Sequence, residues 1–194
     1  MNTKKLFVPV IVIALLIGSA IIYAGESSAK AENFKLKDYN GKEHQLSDFT
    51  NAKSIVLMFV STQCPVSNAY NERMAKLYND YKDKGIVFLG INSNKAEGVD
   101  DIKKHAAENH LMFPILKDEK NIVADKLSAS VTPEIYVLNG KLDILYHGRI
   151  DDSQRESNIT SSDLKTALDD IIAGKNMKFS KTKAFGCSIK RVGK

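Results

Sequence analysis

The sequence predicts an α/β fold: a central mixed sheet with helices on both faces, preceded by an N-terminal apolar helix. Three observations lead there. Residues 55–60 and 86–91 are unbroken apolar runs, as expected of central strands covered on both faces. Between them Tyr70, Met74, Leu77, Tyr78 and Tyr81 fall on one helical stripe. Further on, residues 131–138 and 142–147 flank Asn139-Gly140, a tight antiparallel turn signal. Strands that first alternate with helices and then fold into a hairpin imply a mixed sheet.

The elements follow in chain order. Lys4 and Lys5 precede residues 6–24, nineteen residues without a charge. Such a run is a signal peptide or a single membrane-spanning helix. The leading lysines stay in the cytoplasm and send the rest across, so export is expected. Ala29-Lys30-Ala31 offers a small-x-small cleavage site, and no cysteine follows the run to carry a lipid. Residues 1–31 are therefore read as leader or anchor, 32–174 as the domain and 175–194 as a tail. Asn40-Gly41 predicts a hairpin between segments holding Phe34, Leu36, Leu46 and Phe49. Gly85 ends the Tyr70–Tyr81 helix, and Val99, Ile102 and Ala106 mark another. Residues 113–116 read as extended and 121–127 as a short helix. Residues 160–172 read as the last helix, with Thr160-x-x-Asp163 as a capping signal and Gly174 as its stop.

Charge is divided unevenly. Residues 174–194 hold seven Lys or Arg and no acid, whereas residues 32–173 hold 18 basic and 22 acidic residues, a net of −4. A basic tail can bind nucleic acid or anionic lipid. Without interleaved aromatics, and on an exported chain, nucleic acid is not expected as a partner. A solvated tail and a tail folded back onto its own acidic domain both remain open.

The chain has two cysteines, Cys64 and Cys187. Cys64 ends the 55–60 strand and precedes Pro65, which suits the first position of a helix because it needs no N–H there. A cysteine so placed faces unpaired N–H groups and the positive end of a helix dipole, and both favour the reactive thiolate. A buried, inert cysteine is the plainer reading. Export allows a disulfide to persist, and two cysteines permit at most one within the chain.

Strand–Cys64–Pro65–helix followed by Thr132-Pro133 at a hairpin resembles the thioredoxin-like fold. The opening pattern Phe34-x-Leu36-x-Asp38-x-x-Gly41-Lys42, with Leu46-Ser47-Asp48-Phe49, resembles the redoxin branch, the alkyl hydroperoxide reductase/thiol-specific antioxidant family. Ala184-Phe185-Gly186-Cys187-Ser188-Ile189-Lys190 is similar to the tail of a peroxiredoxin-like subgroup. The resemblance implies that Pro133 is a cis-proline beside a catalytic Cys64, and that Ser61 supports the cysteine. Two departures stand out. Ser67 occupies the second position of a Cys-x-x-Cys, and Leu57 stands where typical peroxiredoxins have proline.

A lone thiolate attacks a disulfide or a peroxide, and in both cases a second thiol must resolve the product. Cys187 is the only internal candidate. Three alternatives stand: a catalytic Cys64–Cys187 pair, a structural bridge, or Cys64 working with external thiols. A bridge closing a loop of this length stabilises by about 4–5 kcal/mol in the chain-entropy view. Thr62, Gln63 and Ser61 can hydrogen-bond a thiolate or a substrate. The expected partners are a redox protein or small thiol as donor, and a peroxide or protein disulfide as substrate. No cofactor or metal is expected: His44, His105, His110 and His147 lack ligand spacing, and His147 receives no role. Asp151-Asp152 reads as a solvated loop. The fold and chemistry together predict an exported thiol oxidoreductase, with a thiol peroxidase or a non-catalytic binding module as alternatives.

Topology gives the first test. A reporter enzyme fused after Lys194 should be active only outside the cytoplasm, and cytoplasmic activity would refute the reading of residues 6–24.

Overall fold

The computed structural model describes residues 29–193. The expected leader and its apolar helix at 6–24 lie outside them. No helix among the described residues is long and apolar enough to cross a membrane.

The strands are β1 (Lys35–Asp38), β2 (Glu43–Gln45), β3 (Ser54–Phe59), β4 (Ile86–Asn92), β5 (Ile115–Lys117), β6 (Val131–Thr132), β7 (Glu134–Leu138), β8 (Ile144–Gly148) and β9 (Cys187–Ser188). The α-helices are α1 (Pro65–Asn68), α2 (Asn71–Tyr81), α3 (Val99–Glu108), α4 (Ile122–Leu127) and α5 (Asp163–Ile172). Seven strands form one sheet in the order β2-β1-β5-β4-β3-β7-β8. β3, β4 and β5 run parallel, and the remaining neighbours in it are antiparallel. This is the mixed sheet that the alternating and hairpin segments predict.

The apolar runs supply two cores because successive strand residues point to opposite faces. Val56 and Met58 of β3 join Met74, Leu77, Ile102, Leu164 and Leu168 on the face covered by α2, α3 and α5. Ile55, Leu57 and Phe59 join Leu46, Val123, Ala124 and Tyr136 on the face covered by α4. Gly41 turns the β1–β2 hairpin at φ +81°, a conformation that glycine adopts without a Cβ clash.

Several local expectations change. Helix α5 begins after Ser162, not at Thr160. Thr160 donates its N–H and its hydroxyl to Asp152, so the capping box does not form. Asp151 is not solvated: it is buried and binds Arg73 Nη1 at 2.6 Å. Arg73 also lies 3.7 Å over the Tyr70 ring. Arg149 is committed to Asp163, which is itself buried. Beside the β7–β8 turn, the Ile144 N–H donates to the Ala29 carbonyl at 2.8 Å and the Ala31 N–H to the Leu142 carbonyl at 2.9 Å, around an isolated bridge between Lys30 and Asp143.

The basic tail is docked. Its β9 pairs antiparallel with β6, placing Cys187 opposite Thr132 and Ser188 opposite Val131. Ile189 is buried in the second core and its N–H donates to the Ser130 carbonyl at 2.9 Å. Beyond it, the Lys190 N–H binds Asn94 Oδ1 and the Arg191 guanidinium binds Asp125 Oδ1 and the Ala129 carbonyl. Upstream, the Thr182 N–H donates to the His147 carbonyl at 3.0 Å. Residues 183–188 are thus a short strap held at both ends. The strap passes so close to β6 that a Cβ on Gly186 would collide with the Thr132 carbonyl oxygen, well inside van der Waals contact.

Gly186→Ala should therefore keep the sheet intact but prevent the strap from closing. Expected signs are faster proteolysis between Thr182 and Ile189 and free thiols in an oxidised preparation. A fully bridged, protease-resistant Gly186→Ala chain would contradict the close approach.

Candidate active site

β3 and β4 run parallel, so the loops that follow them emerge on the same edge of the sheet. The first carries Ser61 to Cys64 and the second residues 93–98. Cys64 is the N-cap of α1, with Pro65 at the first helical position as the sequence predicts. The Ser67 N–H donates to Cys64 Sγ at 3.2 Å. Helix α1 is only four residues long, and α2 starts afresh after Tyr70. A helix this short contributes little dipole, and the direct Ser67 N–H bond is what meets the sulfur.

Thr132 reaches this sulfur through its carbonyl, and Pro133 follows it in the chain. Their peptide bond is cis, as the resemblance implies. Cys64 Sγ is 3.4 Å from the Thr132 carbonyl oxygen, a contact that a reduced thiol can use as a donor. Cys64 and Cys187 form a disulfide with a Cα–Cα distance of 5.8 Å, ordinary for such a bridge, between residues 123 apart in sequence. Cys64 is buried, at 4% exposure, whereas Cys187 is half-buried.

The supporting residues organise backbone more than sulfur. Ser61 Oγ accepts the N–H groups of Gln63 and Cys64 at 3.2 and 3.0 Å. Its own proton goes to Glu97 Oε1 at 2.5 Å. The Thr62 N–H donates to Glu97 Oε2 at 2.7 Å, and Asn68 Nδ2 reaches the Thr62 carbonyl at 2.9 Å. The Gln63 side chain is exposed. Ser67, in the place of a second Cys-x-x-Cys cysteine, is buried and its Oγ accepts from the Ser61 N–H.

Sequence reasoning missed Glu97. It is buried and also accepts from Asn92 Nδ2 at 2.6 Å. No motif marks it. The positional signal was available, because a loop after one parallel strand lies beside the loop after its neighbour. The same loop holds the tail: Asn94 Oδ1 accepts from the Lys190 N–H, and the Lys95 N–H donates to the Lys190 carbonyl. One loop therefore touches both the Cys64 turn and the strap carrying Cys187.

Glu134 and His147 were missed too. Glu134 follows Pro133 directly and is buried. Burial works to raise its carboxyl, but bonds from His147, Ser130 and Val131 outweigh this and hold it below the usual carboxylate range. Among the described residues no cluster of three or more His, Cys, Asp or Glu side chains is placed to hold a metal ion. A surface cleft of about 520 Å³ runs along β1, β2 and Lys117, and neither cysteine lines it. The arrangement gathers a buried sulfur with one N–H donor, a second sulfur in bonding contact, and a backbone carbonyl beside them. Those parts suit thiol–disulfide exchange.

Relatives carry the same theme. The chain is 30% identical over 116 residues to the thiol-disulfide oxidoreductase ResA of Halalkalibacterium halodurans, a match covering 60% of this chain and 62% of that protein. The fold is similar to the crystal structure of an uncharacterized conserved protein from Geobacillus kaustophilus, with TM-score 0.81 and 32% identity over 86% of this chain and 93% of that one. It is also similar, at TM-score 0.55 and 20% identity, to the thioredoxin domain of a thiol-disulfide oxidoreductase from Bacteroides vulgatus. That match covers 62% of this chain and 86% of that domain, and it shows that the fold is thioredoxin-like. Residues 28–147 match the AhpC/TSA family, a stretch that holds Cys64 and Pro133 and ends before Cys187. With more than half of its length so matched, the chain belongs to the AhpC/TSA family.

Proposed function

We propose that the protein is an exported thiol–disulfide oxidoreductase in which Cys64 is the nucleophile and Cys187 the resolving thiol. The observation that carries this reading is the Cys64–Cys187 bridge beside the Thr132 carbonyl, with the Ser67 N–H donating to the Cys64 sulfur. The resemblance to an oxidoreductase of Halalkalibacterium halodurans supports the reaction class, and the uncharged run at 6–24 supports export and attachment to a membrane. In this reading residues 1–31 deliver the chain, 32–174 form the redoxin unit, and 175–194 bring the second thiol.

The cycle begins with both thiols reduced. The Cys64 thiolate attacks one sulfur of a substrate disulfide and expels the other as thiolate, leaving a mixed disulfide on Cys64. Cys187 thiolate then attacks the Cys64 sulfur, releases the second substrate thiolate and forms the intramolecular bridge. Substrate gains two electrons and the pair loses two. A redox protein or small thiol restores the pair by the reverse exchange. Ser67 stabilises Cys64 whenever it carries charge, as attacker or as leaving group.

A thiol peroxidase is the second reading, favoured by membership of the AhpC/TSA family. The Cys64 thiolate would then cleave an O–O bond, become sulfenic acid and release an alcohol or water. Cys187 would displace water to form the same bridge.

The two thiols should behave asymmetrically. Cys64→Ser should abolish turnover of disulfide and peroxide substrates, a loss of at least 100-fold. Cys187→Ser should retain the first step and accumulate a mixed disulfide or sulfenic acid on Cys64, seen by mass spectrometry. If both variants only lower the unfolding midpoint, and Cys64 shows no preferential alkylation in the reduced chain, the bridge is structural and the enzymatic reading falls.

A further inference from the structure

The strap that carries Cys187 is fastened at two places, and both lead to one contact between half-buried His147 and buried Glu134. His147 Nε2 lies 2.6 Å from Glu134 Oε1, and its ring stacks on Tyr136 with centroids 4.2 Å apart. The His147 backbone is the upstream fastening: its N–H donates to the Ser180 carbonyl at 2.9 Å and its carbonyl accepts from Thr182. Glu134 Oε2 supports the downstream fastening, beside the contacts of Ile189, Lys190 and Arg191. It accepts the N–H groups of Ser130 and Val131 at 2.7 and 3.1 Å, fixing the two residues that pair with Ser188 and Ile189. The Tyr136 hydroxyl adds a contact to Glu134 Oε1 at 3.2 Å. Neither fastening requires the disulfide.

We propose that Glu134 and His147 are positioning residues for the redox pair: they hold both ends of the strap so that the Cys187 thiol stays against Cys64 after the bridge is reduced. The inference rests on the reading of Cys64 and Cys187 as a working pair. Its consequence is a high effective concentration of one thiol at the other, set by a carboxylate and an imidazole that touch neither sulfur. The side chains act through backbone, by fixing where residues 130–131 and 180–182 lie.

The test is the equilibrium of the full-length chain with reduced and oxidised glutathione, which reads the effective concentration of the Cys187 thiol at Cys64. His147→Phe keeps a flat ring against Tyr136 but has no nitrogen to reach Glu134. It should lower the effective concentration at least tenfold, and His147→Gln, whose amide N–H can reach the carboxylate, should recover most of it. Glu134→Gln gives an independent route, since one of its two acceptor oxygens becomes a donor, and the same direction is expected. The unfolding midpoint of each substitution is also measured in a Cys187→Ser background. A glutathione equilibrium within twofold of the parent in both His147→Phe and Glu134→Gln overturns the positioning role. So does an equal loss of stability with and without Cys187. If the parent bridge itself does not exchange with glutathione in the folded chain, the working-pair reading fails first. An exchanging parent with unresponsive variants refutes only the positioning role.

Discussion

The register of a two-residue strand pair governs the site. β9 meets β6 with Cys187 opposite Thr132, and the Thr132 carbonyl lies 3.4 Å from Cys64 Sγ. A slip of one residue would turn the Cys187 side chain to the other face of the pair, away from Cys64. Such a short pairing is weak on its own. It is fixed from outside by Ile189 in the second core, by Arg191 on Asp125 and Ala129, and by Thr182 against the β7–β8 hairpin. The disulfide then joins groups that the surrounding contacts already bring together.

A second layer of control lies at the shared edge of β3 and β4. Glu97 is one carboxylate serving Ser61, Thr62 and Asn92, so the turn that presents Cys64 cannot shift without leaving a buried acceptor short of partners. A buried polar group left unpaired costs about 1–3 kcal/mol. Lys117 reaches into the same loop, with Nζ on Asn92 Oδ1 and the Asn94 carbonyl, and burial draws its ammonium below its ordinary range. Cys64 is therefore set in place by polar groups, whereas the sheet beneath it is set by apolar packing.

That difference explains what the sequence made legible. Residues 55–60 and 86–91 are apolar throughout because they are covered twice, and such runs are visible without partners. Cys64 with Pro65 was legible as a strand end and helix start, and Pro133 through family resemblance. Thr160 misled because its hydroxyl found Asp152 before it could cap α5. Asp151 beside it reads as a loop acid, and only the fold brings Arg73 to it. Glu134 and His147 become neighbours because Tyr136 lies opposite His147 in the β7–β8 register. An irregularity between Val137 and Leu138 shifts that register, so counting outward from Asn139-Gly140 does not find the pair. The tail's docking depended on the absence of a side chain at Gly186, and sequence periodicity carries no trace of it.

The domain also has two poles. Ala29 and Ala31 enter the structure against Leu142 and Ile144, at the turn of the β7–β8 hairpin. β7 runs from there back to Glu134, which pairs with Phe59 at the end of β3 where the Cys64 loop begins. The sheet separates the two points by roughly 15 Å along the strand direction. Ala29 and the Cys64–Cys187 bridge thus lie at opposite ends of the sheet, like the handle and the tip of a tool. The distance between handle and tip is the length of one strand, β7.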